Sequence, residues 1–457
     1  MNEPNNPLEQ MTEWEQLDLG TAYGRVGKLD EAVAVWSNIH RNDDPKAYTW
    51  AQFNLGLAYK DMGRPDEAIG AWSNIRREDD PEIYADAQYA LGNIHAKYNN
   101  INEAIAAWSL VARMDNPETY AKAQFNLSNT YEDLGRLDEA IGAWSSIRRS
   151  DYPDAYARAQ FHLGGAYANQ GRLGEAIDTW SAIIREDNPE TYAKARFFLG
   201  NTYEGLGQLD EAISAWSSIR RDDSAYVYAW AQFSLGRAYA NQGRLGEAIA
   251  VWSNIHRNDD PGAYAQIQLS LGTAHADLSN VNEAIAVWSQ VRREDNPEAY
   301  AQVQFNLGVV YKNLGRLSET ISAWSNVHRD DNPEAYARVR FFLGSIYEGL
   351  DQLDEAITTW SSIHHDDDPE IYTRAQVILG AIYHSQNKVD KAIAAWSNIR
   401  RSDAPDFYAR AQFELGTTYE AIGKLDEAIT AWLSVYREDH PETYANAQYN
   451  LALVNKH

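Results

Sequence analysis

The sequence contains no cysteine among its 457 residues, which removes disulfides, thiolate catalysis and cysteine-ligated metal centres together. It has no run of about 18 apolar residues, so it offers no membrane-spanning helix. Its opening, MNEPNNPLEQMTEWEQ, has neither a basic segment nor an apolar stretch of the signal-peptide kind. Basic residues are also scarce: 40 against 66 acidic ones leave a formal charge of −26. That charge repels nucleic acid and anionic membrane at long range. These absences lead us to expect a cytoplasmic protein, with no nucleic acid and no membrane among its partners. With 44% hydrophobic and 12% aromatic residues, the chain has ample material for a core and too little charge bias for disorder.

What is present is a repeat. From about Glu15 the sequence matches itself at an offset of 36 residues without insertion or deletion. We divide it into an N-terminal segment that begins the first helix (1–14), twelve units (15–446) and a C-terminal half unit (447–457). Tryptophan recurs once per unit, at Trp36, Trp72, Trp108, Trp144, Trp180, Trp216, Trp252 and onward to Trp432. A leucine column runs from Leu19 through Leu55 to Leu451, usually followed by glycine, and a tyrosine column from Tyr48 to Tyr444. The same residues at the same phase occupy equivalent environments.

Each unit reads as two helices. In 81–116, Tyr84, Ala87, Leu91 and His95 fall at helical spacing on one face. Asp80 stands ready to cap a helix opening with Pro81 and Glu82. That first helix ends at residues tolerant of left-handed backbone, such as Gly63, Asn99 and Gly135. A second helix follows, with Ala140, Ile141, Trp144 and Ile147 as its apolar stripe. Two short helices cannot bury these faces alone, so the units must stack, as in an all-α solenoid of antiparallel hairpins.

The set Leu55, Gly56, Tyr59, Gly63, Asp66, Glu67, Ala68, Ile69, Trp72, Asp79 and Pro81 resembles the tetratricopeptide repeat, and this resemblance covers nearly the whole chain. The unit departs from the family's usual length of about 34 residues, and Gln52, Gln88 and Gln124 stand where the family often has tryptophan. The resemblance implies a right-handed superhelix whose first helices line a concave groove that binds protein or peptide segments. Carried over residue by residue, that groove includes Lys122, Phe125, Asn129, Arg158, Phe161, Lys194, Phe197, Asn201 and Phe233. Relatives that grip a C-terminal carboxylate have lysine in place of this phenylalanine, so that clamp is not expected here. Trp50 and Trp230, in the column of Lys122 and Arg158, are candidate exposed anchors.

No catalytic, cofactor-binding or metal-ligating set emerges. The sequence lacks GxxxxGK, GxGxxG, HExxH and GxSxG. His364 to Asp368 is read as a solvated acidic loop, because adjacent side chains seldom converge on one ion. His95 and His275 are expected to pack in the core with a hydrogen bond. The tryptophan column, Trp72 to Trp252 included, is expected to be core. The arginine and aspartate recurring near each second-helix end, such as Arg77 and Asp79, are expected to bridge adjacent units. The functional expectation is a non-enzymatic scaffold for a protein partner. Self-assembly into a homo-oligomer and service as a regulatory subunit of an enzyme complex are the alternatives. Tyr449, Leu453 or Val454 of the last helix should remain partly uncovered.

Overall fold

The computed structural model of the protein describes residues 7–454. The first six residues of the N-terminal segment and the last three of the half unit lie outside the described residues. Among those described there is no strand; a short 3-10 turn at Pro7–Gln10 precedes 25 α-helices in paired hairpins. No helix among them is long and apolar enough to cross a membrane.

One unit illustrates why the chain folds this way. The first helix, Pro81–Lys97, starts where Asp80 in extended backbone accepts a hydrogen bond from the Ile83 amide at 3.2 Å. This satisfies an amide that the helix itself leaves unpaired. The helix stops at Asn99, whose φ of 63° is left-handed. Gly63 and Gly135 make the same turn at 73° and 72°. Ser279 and Asp351 also do so, at 62° and 61°, although neither was expected from the sequence. Most second helices begin without a side-chain cap. At Pro65–Ser73 the start is instead braced by Arg64, which donates to Glu67 at 2.9 Å and lies 4.8 Å from the centre of the Tyr59 ring.

The described chain forms two compact units, Met1–Ala231 and Gln232–His457, divided within the helix Ala225–Asn241. Within each, the second helices present their tryptophans to the first helices. Every tryptophan of the column from Trp36 to Trp432 is buried, none more than 5% exposed. A Cβ added at Gly56 would lie 2.2 Å from the Trp72 indole nitrogen, so the glycine after the leucine is a space requirement of the indole. The indole also ties the hairpin together: Trp72 Nε1 donates to the Phe53 carbonyl at 3.1 Å, and Trp180 to the Phe161 carbonyl at 3.0 Å. In the unit where serine replaces glycine, Ser128 turns its hydroxyl to the Phe125 carbonyl at 2.8 Å; Trp144 Nε1 has no hydrogen-bond partner, as is also true of Trp216 and Trp432 beside glycines.

Successive repeats are clamped by arginine and aspartate 38 residues apart. Arg41 reaches Asp79 at 2.7 Å, Arg113 reaches Asp151 at 2.8 Å and Arg293 reaches Asp331 at 2.6 Å. The expected bridging is therefore found, with each arginine reaching the aspartate of the next unit rather than its own neighbour. The carboxylates are buried and the arginines partly exposed, as at Arg113 and Asp151, 28% and 5% exposed. Arg185 also donates to the Ser218 carbonyl at 2.6 Å, just past the next second helix, Leu209–Ser217, where a cation meets the negative end of the helix dipole. At one joint histidine replaces arginine: His365 Nε2 lies 2.8 Å from Asp403. This corrects the reading of the His364 to Asp368 loop as merely solvated, since Asp367 is buried too and pairs with Arg329.

His95 and His275 are half-buried, and the Nδ1 atom of each has no hydrogen-bond partner, contrary to the expectation of a bonded core histidine. On the last helix, Pro441–Val454, Tyr449 is 66% and Leu453 43% exposed.

Candidate functional site

Besides the positions that meet the tryptophan layer, the first helices carry columns that vary from unit to unit, and these border an opening that also reaches Trp72. In Met1–Ala231 a cavity of about 620 Å³ lies between the helices Pro45–Asp61, Pro81–Lys97 and Pro117–Asp133. Phe53, Leu57, Tyr89 and Ile94 supply its apolar lining, and Lys60, Lys97 and Lys122 contribute amines. Phe53 and Tyr89 are one 36-residue step apart and precede Phe125 in the same column. The Phe53 carbonyl receives the Trp72 indole, whereas the Trp108 indole donates to Asn93 Oδ1 at 3.2 Å rather than to the Tyr89 carbonyl.

Asp86 is the acid in this cavity whose surroundings are most unusual. It sits in the column that carries Lys122, Arg158 and Lys194 elsewhere. Its carboxylate accepts hydrogen bonds from the Thr119 hydroxyl and from Asn116 Nδ2, the latter at 3.2 Å. Burial raises its pKa above the ordinary carboxylate range; the Thr119 bond and the Lys122 charge only partly offset this. The cavity thus offers apolar surface, amines and a half-buried hydrogen-bonding carboxylate at its wall, a combination suited to holding a peptide segment by one apolar side chain and its flanking backbone.

The groove residues proposed from sequence are distributed unevenly. Lys122 lines the cavity but is paired with Glu118 at 2.6 Å. Phe125 is 6% exposed and packs with Trp144 in the core, so it is not a groove residue. Arg158 covers it, with the guanidinium 4.4 Å from the ring centre. Asn129 is half-buried and its Oδ1 has no partner. Phe161, Phe197 and Phe233 are half-buried, Lys194 is tied to Glu190 at 2.7 Å and Asn201 is exposed. Of the two candidate anchors, Trp50 is 39% exposed and Trp230 half-buried.

Sequence reasoning missed the residues one step further along. Phe198 is 45% exposed, with ring centres 5.5 Å from Phe161 and 5.8 Å from Trp180. His162, its equivalent in the preceding unit, stacks on Trp144 at 5.6 Å. Burial, followed by the charges of Arg158 and Lys194, lowers the His162 pKa. Both residues were legible as departures from a column that is otherwise mostly small or polar.

In Gln232–His457 a further cavity of about 500 Å³ involves Val377, His384, Arg410, Phe413 and Glu414. Burial raises the Glu414 pKa, partly opposed by His384.

The hairpins and the leucine-glycine-tyrosine pattern are those of one family, and the tetratricopeptide repeat profile matches residues 53–119, 125–190, 195–253, 269–336 and 375–442. The chain belongs to the tetratricopeptide repeat family. Members of this family generally bind other proteins, and the chain carries that scaffold. Among solved structures it is similar to the crystal structure of MamA, at 28% identity and a TM-score of 0.28 over 35% of this chain and 89% of that one. It is also similar to c5321, a protective antigen of uropathogenic Escherichia coli with an SLR fold, at 18% identity and a TM-score of 0.46 over 97% of each chain. Yeast Tom70 is similar at 14% identity and a TM-score of 0.30, over 97% of this chain and 96% of that one. No curated protein matches the chain.

Proposed function

We propose that this tetratricopeptide repeat protein is a non-enzymatic cytoplasmic scaffold that holds a segment of a partner protein on the first-helix face of Met1–Ala231. The observation carrying this reading is the cavity lined by Phe53, Leu57 and Tyr89. It combines an apolar floor with polar groups, is open to solvent, and has the Phe53 carbonyl held by the buried Trp72 indole. Such a surface can take a side chain without reorganising, which limits the entropic penalty of binding. Lys60 and Lys97 and the half-buried Asp86 give the apolar contact a polar border that can select the flanking residues.

The test is the paired variant Phe53→Ser with Tyr89→Ser, assayed against a partner co-purified from the native host. Helical content should remain as in the parent, while affinity should fall by more than about 2 kcal/mol, the loss of anchor residues. Unchanged affinity with intact helices would move the binding surface elsewhere and reject this reading.

A further inference from the structure

One column of the first helices carries an apolar side chain that the fold does not require. From Asp18 to Asn450, the position after the Phe53 column holds aspartate, asparagine, alanine, histidine, serine, isoleucine or glutamate, with two exceptions. The exceptions are Phe198 and Phe342, 45% and 37% exposed. Hairpins with asparagine or serine at this place form the same helices, so neither ring is needed for folding. Each ring leaves apolar surface in water that a partner side chain could cover with a gain in free energy.

Their surroundings share a tryptophan, a preceding phenylalanine and a cation one turn earlier on the helix. Phe198 lies 5.8 Å from Trp180 and 6.2 Å from Phe197; Phe342 lies 5.6 Å from Trp324 and 6.1 Å from Phe341. One turn earlier on each helix stands a cation, Lys194 or Arg338, paired with Glu190 at 2.7 Å and with Glu334 at 2.5 Å. A second cation lies beside only one of them, Lys312 with Nζ 5.5 Å from the Phe342 ring centre; the corresponding residue near Phe198 is Ala168, and that ring instead meets Phe161 at 5.5 Å. The sequences FFLGNTYEGLGQLDEAI from Phe197 and FFLGSIYEGLDQLDEAI from Phe341 set these environments, and one falls in each compact unit.

We propose that Phe198 and Phe342 are the centres of two equivalent docking sites for one ligand class, an extended acidic segment of a partner protein with a leucine- or phenylalanine-sized anchor. One chain therefore takes two copies of the segment. This rests on the reading that the first-helix face holds partner segments. The apolar anchor covers the exposed ring against the neighbouring indole. Carboxylates on the segment meet Lys194 or Arg338, whose exposed intrahelical pairs are weak enough to exchange partners. The chain's net negative charge opposes an acidic segment at a distance, so binding relies on the short-range contact with these cations and on the apolar anchor.

The experiment uses the full chain with 4-fluorophenylalanine in place of phenylalanine, followed by fluorine NMR and calorimetry. The probe is a capped hexapeptide with a leucine-phenylalanine centre between pairs of aspartates. The Phe198 and Phe342 signals, assigned with Phe198→Ser and Phe342→Ser, should move with the same concentration dependence, and two peptides should bind per chain. Each single variant should lose one site, and the double variant at least ten-fold in affinity, with unchanged circular dichroism. One peptide per chain, signals that do not move, or tighter binding of the lysine-flanked equivalent would each overturn the proposal. If binding survives in the double variant but is lost with Tyr89→Ser, the twin sites are refuted while the cavity reading stands.

Discussion

The tryptophan layer and the variable columns of the first helices are made from the same 36-residue unit, yet one is nearly constant along the chain and the other differs among units. In the tryptophan layer the same indole meets the same close glycine in almost every unit and is buried each time. The first-helix column containing Trp50 and Asp86 continues with Lys122, Arg158 and Lys194, turns to glutamine at Gln266 and Gln302 and to arginine from Arg338 to Arg410. Stacking requires one surface to be copied. Selecting a partner requires another to differ.

This contrast is broken most forcefully in the constant layer. Trp216 is fully buried, and Trp216→Ala should destabilise its repeat by about 3–5 kcal/mol through lost burial and the cavity left behind. Urea denaturation of the variant measures this, and a loss below about 1 kcal/mol would show that the layer does not carry the fold. A smaller effect is expected at the joints. Arg113→Ala leaves the buried Asp151 carboxylate without its arginine but with the Arg148 amide at 3.2 Å, so the cost should be about 1–3 kcal/mol. Local hydrogen exchange should locate the loss at the adjoining repeats.

The smallest effect is expected on the variable face, where Asp86 sharpens the comparison. Burial raises its folded-state pKa, so the protonated form favours folding. That contribution is complete below the unfolded pKa, about 3.9, and is lost as pH rises through the folded value. Asp86→Asn keeps an acceptor for Thr119 and Asn116 but removes the charge. The variant should therefore gain stability relative to the parent as pH rises from 4 to 7, with the difference vanishing in acid. Melting curves at both pH values check this; a variant less stable at pH 7 would show that the charge is needed.

The repeat itself was readable because its causes are local: Asp80 before Pro81, the left-handed Asn99, and a tryptophan at one phase. The arginine clamp was half readable, since both residues recur but only the stacked hairpins show that the pairing spans 38 residues. The groove was harder. A column assigned by resemblance treats each member alike, whereas Phe125 is sealed under Arg158 and Phe53 lines an open cavity. Which ring is covered depends on neighbours one unit away, such as Arg158 and His162, and on where the indole draws the backbone. The exposed Phe198 escaped notice because it is an exception to its column, and periodicity directs attention to what repeats.

The account's central claim is that partners are held on the first-helix face rather than on the second helices. The most direct measurement places a photo-crosslinking benzoylphenylalanine at Tyr89, in the cavity, or at Ala106, exposed on the second helix Ile101–Ser109, and irradiates the chain with its co-purified partner. Crosslinks to the partner from Tyr89 and none from Ala106 are predicted. Crosslinks from Ala106 alone would contradict the claim.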